Sequence, residues 1–296
     1  MPMHHKLLMF FYPVFILIRK FAVMLRIISP NRLRVLIYHD IPAVEEARFE
    51  AQLRWLTKYW NIISPAELEA IMLGKSPLVG DNLLITFDDG LISNRVVAEK
   101  ILNPLGIKAI FFVISDFVKI ETPLESRQFI AKHIIPNSRL SDIPKAWKNM
   151  RLSDLSALID QGHTIGHHTK LHSRLSDCLT DDELEDELVG GSKYISTQLG
   201  IDINHFAYTF GDIESFSEAA LTVAKCNFQF IYSGLRGNNS HEVSPLSIRR
   251  DAAAYQLSDN EYRVFNNKLL GAFLEGAADF HYKISNKILD SWCEKN

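Results

Sequence analysis

The sequence predicts an α/β fold in which a mostly parallel sheet closes into a barrel. The first observation is that short apolar runs alternate with stretches of helical spacing from residue 33 to residue 250. The second is composition, because 47% hydrophobic and 23% charged residues in a chain of 296 supply an ample core. The third is that polar residues directly follow several apolar runs, where a parallel barrel collects its reactive groups.

The individual elements follow from apolar periodicity and from capping residues. Predicted strands are LRVLIYH (33–39), LLITF (83–87), KAIFFVI (108–114), HTIG (163–166), HFAYTF (205–210), FQFIYS (228–233) and LSIRR (246–250). Predicted helices are FEAQLRWLTKYW (49–60), SPAELEAIMLG (64–74), RVVAEKILNPLG (95–106), SDLSALIDQG (153–162) and DDELEDELVGGSKYISTQLG (181–200). A Ser cap is expected at residue 153, and the tail after residue 258 has helical spacing. The stretch 121–150 reads as an insertion with no assignable role.

The N-terminal segment 1–30 is apolar and basic. Residues 1–39 carry six basic and no acidic residues, whereas the rest of the chain carries 26 basic and 35 acidic residues. The uncharged run Leu7–Ile18 has 12 residues, about 18 Å as a helix, which is too short for roughly 30 Å of hydrocarbon. Pro13 is expected to kink a longer helix, and no small-residue cleavage site follows the run. We therefore expect a helix at a membrane surface with its basic side chains towards anionic headgroups. The plainer alternative is a buried terminal helix.

Two classes of function do not fit the composition. The three cysteines, Cys178, Cys226 and Cys293, are widely spaced without a CxxC pair, which argues against a disulfide framework and against a thiolate metal site. For these cysteines a reducing compartment is the simpler interpretation. Nucleic-acid binding does not fit either, because the body is acidic and the basic arm is apolar.

The polar residues at the strand ends are the candidates for chemistry. Asp88 and Asp89 end the run LLITF, and two adjacent carboxylates need a cation, which can neutralise one while the other acts as a base. His168 and His172 lie four residues apart, so on a helical turn both imidazoles would face one ion. His39 ends the first strand. Taken singly, Asp-Asp-Gly is also an ordinary turn sequence, and a histidine that closes a strand is often structural.

Asp89, His168 and His172 together make a set of two histidines and one carboxylate with open coordination positions. Such a set suits zinc, iron or another late divalent ion.

The motifs TFDDG, HTKLH and FAYTFG, in this order, resemble the polysaccharide deacetylase family, the carbohydrate esterases with NodB homology. The opening VLIYH is similar to the circularly permuted branch with an N-terminal YH motif, and the resemblance covers residues 33–250. It implies a deformed (β/α) barrel over 31–256, followed by a helical extension over 257–296. It also implies metal-dependent removal of N-acetyl groups from sugars.

Carried over by position, the resemblance implies roles for individual residues. One divalent ion, zinc in preference to iron, cobalt or nickel, would be held by Asp89, His168 and His172. Asp88 would be the general base and His39 the general acid. The backbone N–H of Phe210 would lie in the oxyanion hole. An arginine of the pair 249–250 would orient the base, with Arg250 preferred.

Two departures from the family pattern qualify these roles. Thr209 stands where the third motif has proline, which is expected to make the loop carrying Phe210 less rigid. No Leu-x-His motif follows near the C-terminus, so the acid role rests on His39.

The predicted substrate is a cell-envelope polysaccharide or a lipid-linked amino sugar. The alternatives are a deformylase of a lipid-linked amino sugar and a non-catalytic glycan-binding module on a degenerate barrel. We expect the chain to be membrane-associated through residues 1–30, peripherally on the cytoplasmic face or as an anchored extracytoplasmic form. The sequence leaves the oligomeric state open.

Overall fold

The structure is a computed structural model that describes residues 3–178, 180–240, 242–253, 255–257 and 263–294. The strands are β1 (Arg32–Tyr38), β2 (Asn61–Ile62), β3 (Asp81–Phe87), β4 (Ala109–Val113), β5 (Thr164–His167), β6 (His205–Ala207), β7 (Phe230–Tyr232), β8 (Asp251–Ala252), β9 (Tyr255–Leu257) and β10 (Arg263–Phe265). The helices are α1 (Met3–Met24), α2 (Glu46–Leu56), α3 (Pro65–Met72), α4 (Ile92–Val97), α5 (Ser115–Val118), α6 (Pro123–Phe129), α7 (Leu152–Asp160), α8 (Asp181–Glu185), α9 (Gly191–Leu199), α10 (Glu218–Asn227), α11 (Asn267–Leu274) and α12 (Lys283–Glu294). Three of these helices continue as π-helical stretches over Ala98–Leu102, Ile130–Ile134 and Asp186–Gly190, and the last stretch joins α8 to α9.

The α/β class is confirmed, and the sheet is parallel and curled. Its strands lie in the order β7-β6-β5-β4-β3-β1-β8, with β2 beside β3. The central pair, β1 and β3, is buried almost throughout, which explains the apolar runs over residues 35–38 of β1 and 83–85 of β3. Side chains alternate along β3, so that Leu84 faces the barrel interior and Phe87 faces the surrounding helices.

One short segment, residues 248–253, closes the curled sheet. Ile248 bridges to Tyr232 of β7, and β8 then pairs with Leu36 and Ile37 of β1. The strand predicted over 246–250 is therefore wrong in its position. These residues cross from one edge of the sheet to the other, and a regular ladder begins only at Asp251.

Other boundaries differ for local reasons. The strand predicted over 205–210 ends at Ala207, because the chain turns through a positive φ at Phe210. Helix α7 is capped at Arg151, whose backbone N–H donates to Asp154, so Ser153 is not the cap. In the C-terminal part, α11 and α12 are helical as expected, but the hairpin of β9 and β10 precedes them.

Helix α1 runs unbroken through Pro13 and packs against α11. At this contact Gly271 leaves room for the ring of Tyr12, which a Cβ at that position would displace. The helix is longer than the uncharged run that predicted it, and by length and composition its segment His5–Met24 could cross a membrane. A signal sequence near an N-terminus meets the same criterion.

The charges of α1 differ in part from the expected arrangement. Arg19 faces the protein, where it lies 3.1 Å from Asp81 and 3.8 Å from Glu275. Lys6 and Lys20 are exposed. The expectation that all the basic side chains face away from the body is therefore wrong for Arg19.

Candidate active site

The pair Asp88 and Asp89 lies at the carboxyl end of β3, where the strand alternation stops. Asp88 is the next interior-facing residue after Thr86, and its N–H donates to the carbonyl of Tyr38 at 2.9 Å. Asp89 has a φ of 73°, a left-handed conformation that a non-glycine residue adopts only at a cost. Because of this reversal the two carboxylates do not continue the alternation, and both line the same pocket.

Arg250 contacts Asp88 from the closing segment. Its Nη1 and Nη2 donate to Oδ1 and Oδ2 of Asp88 at 2.7 and 3.0 Å, and its Nε donates to the carbonyl of Ser233 at 2.8 Å. Burial alone would raise the pKa of Asp88, but the charge and the hydrogen bonds of Arg250 outweigh it and hold this pKa below its ordinary value. Arg249 points elsewhere and pairs with Asp290 at 2.7 Å. The carboxylate of Asp88 is thus fixed in orientation and ionised.

The candidate metal ligands converge beside this pair. The donor atoms of Asp89, His168 and His172 all lie within 4.8 Å of one another, and all three side chains are buried. Nε2 of His168 lies 3.7 Å and Nε2 of His172 lies 3.6 Å from Oδ1 of Asp89. Ligands about 2.0–2.2 Å from a tetrahedral zinc ion are about 3.4 Å apart, so the donor set fits such an ion.

Carbonyl groups fix the tautomer of both histidines. Nδ1 of His168 lies 2.6 Å from the carbonyl oxygen of Ala207, and Nδ1 of His172 lies 2.9 Å from that of His133. Each Nδ1 must carry a proton to make these bonds, which leaves Nε2 with a free lone pair. Burial, opposed by the Asp88 and Asp89 carboxylates, lowers the pKa of His168 to about 4, so its ring is neutral, as a metal ligand must be.

The loop that carries these histidines is not helical, contrary to the expectation from their spacing. Thr169 and His172 have φ values of 62° and 63°, which bring the imidazoles together by reversing the chain instead of winding it. Glu187, from the π-helical stretch between α8 and α9, holds this shape. Its Oε2 accepts the N–H groups of Lys170 and Leu171, both at 3.0 Å. Sequence reasoning missed Glu187, because nothing in the acidic run 181–187 distinguishes it.

The turn after β6 carries Phe210 into the same pocket. Phe210 has a φ of 62°, and within the described part of the chain no acceptor pairs with its N–H. Gly211 follows at φ 77° and lies so close to Gly234 that a Cβ would come within 2.7 Å of the Gly234 Cα. Thr209 is buried, and its Oγ1 donates to the carbonyl of Ser173 at 2.5 Å. The loop is therefore tied to the histidine loop by a side-chain hydrogen bond at the position where the family has proline.

The remaining wall comes partly from the insertion at 121–150. Ile134 and Trp147 line the pocket, and the indole N–H of Trp147 donates to Asp40 at 2.6 Å. His39, next to Asp40, is exposed at the pocket mouth. The catalytic pocket, as we call this space, has a volume of about 480 Å³. The insertion, which was unreadable in the sequence, thus supplies part of the site.

Comparison with known proteins identifies the family. The profile described as polysaccharide deacetylase matches residues 75–230, more than half of the chain. The chain belongs to the polysaccharide deacetylase family. The matched range contains Asp88, Asp89, His168, His172 and Phe210, whereas His39 and Arg250 lie outside it.

The chain is also similar to individual proteins. The chain is 26% identical to the Bacillus subtilis protein YxkH over 147 residues, 45% of this chain, and it spans about half (53%) of that protein's length. The structure of IcaB from Ammonifex degensii matches with a TM-score of 0.61 and 19% identity, covering 83% of this chain and 97% of that one. The Streptococcus pyogenes deacetylase PplD, in complex with acetate, matches with a TM-score of 0.58 and 20% identity, covering 76% and 93%. At these identities the two structures show a shared fold.

Proposed function

We propose that this member of the polysaccharide deacetylase family is a metal-dependent hydrolase that removes N-acetyl groups from a cell-envelope polysaccharide or a lipid-linked amino sugar. The observation that carries the proposal is the placement of the Asp88–Arg250 pair beside the donor set of Asp89, His168 and His172. A degenerate, non-catalytic barrel has no need to keep an oriented base next to a complete ligand set.

Each of the site residues would have its own role in amide hydrolysis. A divalent ion held by Asp89, His168 and His172 would supply a water molecule of lowered pKa and a Lewis-acidic contact for the carbonyl oxygen. Asp88, kept ionised by Arg250, would act as the general base for the attacking water. The N–H of Phe210 donates to the oxyanion of the tetrahedral intermediate. His39, at the mouth of the pocket, donates a proton to the departing amine. Such an acid at the start of the domain is what the circularly permuted branch with its YH motif would provide.

The test begins with metal content. We expect about one divalent ion per chain, zinc in preference to iron, cobalt or nickel, in wild type, and none in His172→Ala. His163→Gln is the control, because His163 lies at the opposite end of β5 from His168 and outside the donor set. Acetate release from N-acetylated oligosaccharides should then fall about 10²- to 10⁴-fold in Asp88→Asn with the metal retained. A wild-type chain that stays empty after incubation with these ions would overturn the proposal.

The exposed face of α1 supports a membrane location. Phe10, Leu17 and Phe21 are 75%, 68% and 57% exposed, and Lys6 and Lys20 accompany them. This combination favours contact with an anionic bilayer, on the cytoplasmic face or as an anchored extracytoplasmic form. The full chain should cosediment with vesicles containing phosphatidylglycerol, and less so after Phe10→Ser and Phe21→Ser. Equal recovery of wild type and variant in the supernatant would refute membrane contact through this helix.

A further inference from the structure

A second cavity, of about 940 Å³, lies between α1 and the C-terminal helices. Among the side chains that line it are the apolar residues Leu7, Leu8, Leu269, Phe273, Ala277 and Phe280. The volume is at the upper end of the roughly 300–1,000 Å³ of small-molecule sites. We call it the α1–α11 cavity. It is larger than the catalytic pocket. Its lining is mostly apolar, and the proposed chemistry at Asp88 does not require such a lining.

The cavity is built to take an apolar ligand. Leu269 and Phe273 form a buried floor, whereas Leu7 and Phe280 remain 51% and 67% exposed at the rim. Covering such side chains with hydrocarbon is favourable in proportion to the apolar area removed from water. A polar ligand such as a sugar would leave most of this surface without a matching contact. The walls therefore select a hydrocarbon chain.

The polar groups of the cavity favour a negative charge at the head of that chain. None of the described residues that line the cavity is acidic, and the polar ones include Arg236, His5 and His281. Arg236 lies over the Phe273 ring at 4.1 Å and donates to Asp251 at 3.1 Å, which fixes its position at the wall. The N–H groups of these side chains would donate to the oxygens of an anionic link such as a phosphodiester.

The cavity adjoins the catalytic pocket. Ala252 and Ala253 line both spaces, so the two adjoin along the closing segment. On its other side the cavity is bounded by α1, whose outer face is the apolar surface proposed to meet the membrane. A molecule that crossed this segment would have one end beside Asp88 and the other beside lipid.

We infer that the α1–α11 cavity holds the hydrocarbon tail of a lipid-linked amino sugar whose sugar occupies the catalytic pocket. This inference rests on the proposed function and narrows it, because it selects the lipid-linked substrate over the free polysaccharide. The helix α1 then has two tasks, since its outer face meets the bilayer while its inner face guides the tail.

Binding of a tail can be tested without catalysis. The metal-free full chain is titrated with the fluorescent long-chain fatty acid cis-parinaric acid. We expect saturable binding to wild type and at least tenfold weaker binding to Ala277→Phe, which fills the cavity. The matched control is Ala66→Phe, which adds the same ring to an exposed position of α3. Ala278→Leu is the second filling variant, and thermal unfolding checks that each variant folds.

Two results would overturn the inference at this stage. Loss of binding in Phe10→Ala together with normal binding in Ala277→Phe would place the probe on the outer face of α1. A change of oligomeric state in Ala277→Phe, with unchanged probe binding, would make the cavity a contact between copies of the chain.

Catalysis supplies the second arm. For the metal-loaded protein, kcat/KM is measured for a polyprenyl-phosphate-linked N-acetyl amino sugar and for a water-soluble N-acetylated chito-oligosaccharide. We expect the ratio of the lipid-linked to the soluble value to fall at least tenfold in Ala277→Phe and to be unchanged in Ala66→Phe. An unchanged ratio in the filling variant overturns the tail site. If wild type hydrolyses neither substrate but binds the probe as expected, the proposed function fails and the hydrocarbon site stands.

Discussion

The ion pair of Arg250 and Asp88 makes a sharp prediction about stability. Both residues are almost completely buried, at 1% and 4% exposure, and two charged hydrogen bonds join them at 2.7 and 3.0 Å. The substitution Arg250→Met keeps the apolar length of the side chain but leaves the carboxylate of Asp88 buried without its cation. Arg250→Lys keeps the charge but loses the planar fork that contacts both oxygens.

The expected loss of stability is large because the Asp88 carboxylate stays buried without its positive partner. Removing one partner of a buried pair costs about 3–5 kcal/mol. At about 2–4 °C per kcal/mol for a domain of this size, the melting temperature should fall by about 6–20 °C. Arg250→Lys should lie between wild type and Arg250→Met. Arg249→Met is the matched control, because Arg249 pairs with Asp290 at a partly exposed position, where a pair is worth about 1 kcal/mol or less.

The assay is thermal and urea unfolding of chelator-treated protein, followed by circular dichroism, so that bound metal does not contribute. Adding Asp88→Asn to Arg250→Met should recover part of the lost stability, because the unpaired charge is then gone. Two results would refute the reasoning. One is that Arg250→Met lowers the free energy of unfolding no more than Arg249→Met does. The other is that the double variant, Arg250→Met with Asp88→Asn, loses as much stability as the two single variants added together.

Three further predictions concern the surroundings of the site. Glu187→Ala should weaken zinc binding about 10- to 100-fold, because it frees the histidine loop. Competition with a chromophoric chelator measures this, and Glu187→Gln should be intermediate. Thr209→Val should lower kcat while Thr209→Ser keeps it, since only the hydroxyl ties the Phe210 loop; equal kcat values for the two variants would contradict that role. Burial lowers the pKa of His163 to about 4, against about 6.5 in an unfolded chain, so the unfolded state binds more protons between these values. Stability should therefore fall as the pH drops from about 6.5 to 4. His163→Gln should reduce that slope in urea unfolding by up to about 1.4 kcal/mol per pH unit, and an unchanged slope would speak against a neutral, buried imidazole.

The sequence was most informative where chemistry and strand ends coincide. Asp88, Asp89, His168 and His172 could be grouped because the carboxyl ends of parallel strands meet at one edge, whatever the loops between them do. The preference for Arg250 over Arg249 agrees with the contacts of both side chains. Their catalytic roles stay predictions until the variants are measured.

The sequence was least informative where distant residues decide the local backbone. The spacing of His168 and His172 indicated a helical turn, but Glu187 and the positive φ at Thr169 impose another path. The same holds for Trp147, whose place in the wall depends on a hydrogen bond to Asp40, 107 residues away. Such contacts leave no periodic signal, so pattern reasoning could not find them.

The N-terminal helix shows a third limit. Its composition predicted an apolar, basic segment, and α1 has that character. Composition does not tell which side of a helix packs against the protein. The contact of Arg19 with Asp81 could therefore be found only in the structure.

The closing segment 248–253 has a consequence for the order in which the protein is made. The ribosome releases Asp88 and the histidine loop long before it releases Arg250, which is 162 residues beyond Asp88. Until that segment emerges, β1 and β7 each present an unpaired edge, and the carboxylate that needs a buried cation has none. A nascent chain that stops before residue 248 would contain every proposed metal ligand and yet lack a closed barrel. The Asp88–Arg250 pair can therefore form only after residue 250 has emerged, together with the closure of the sheet.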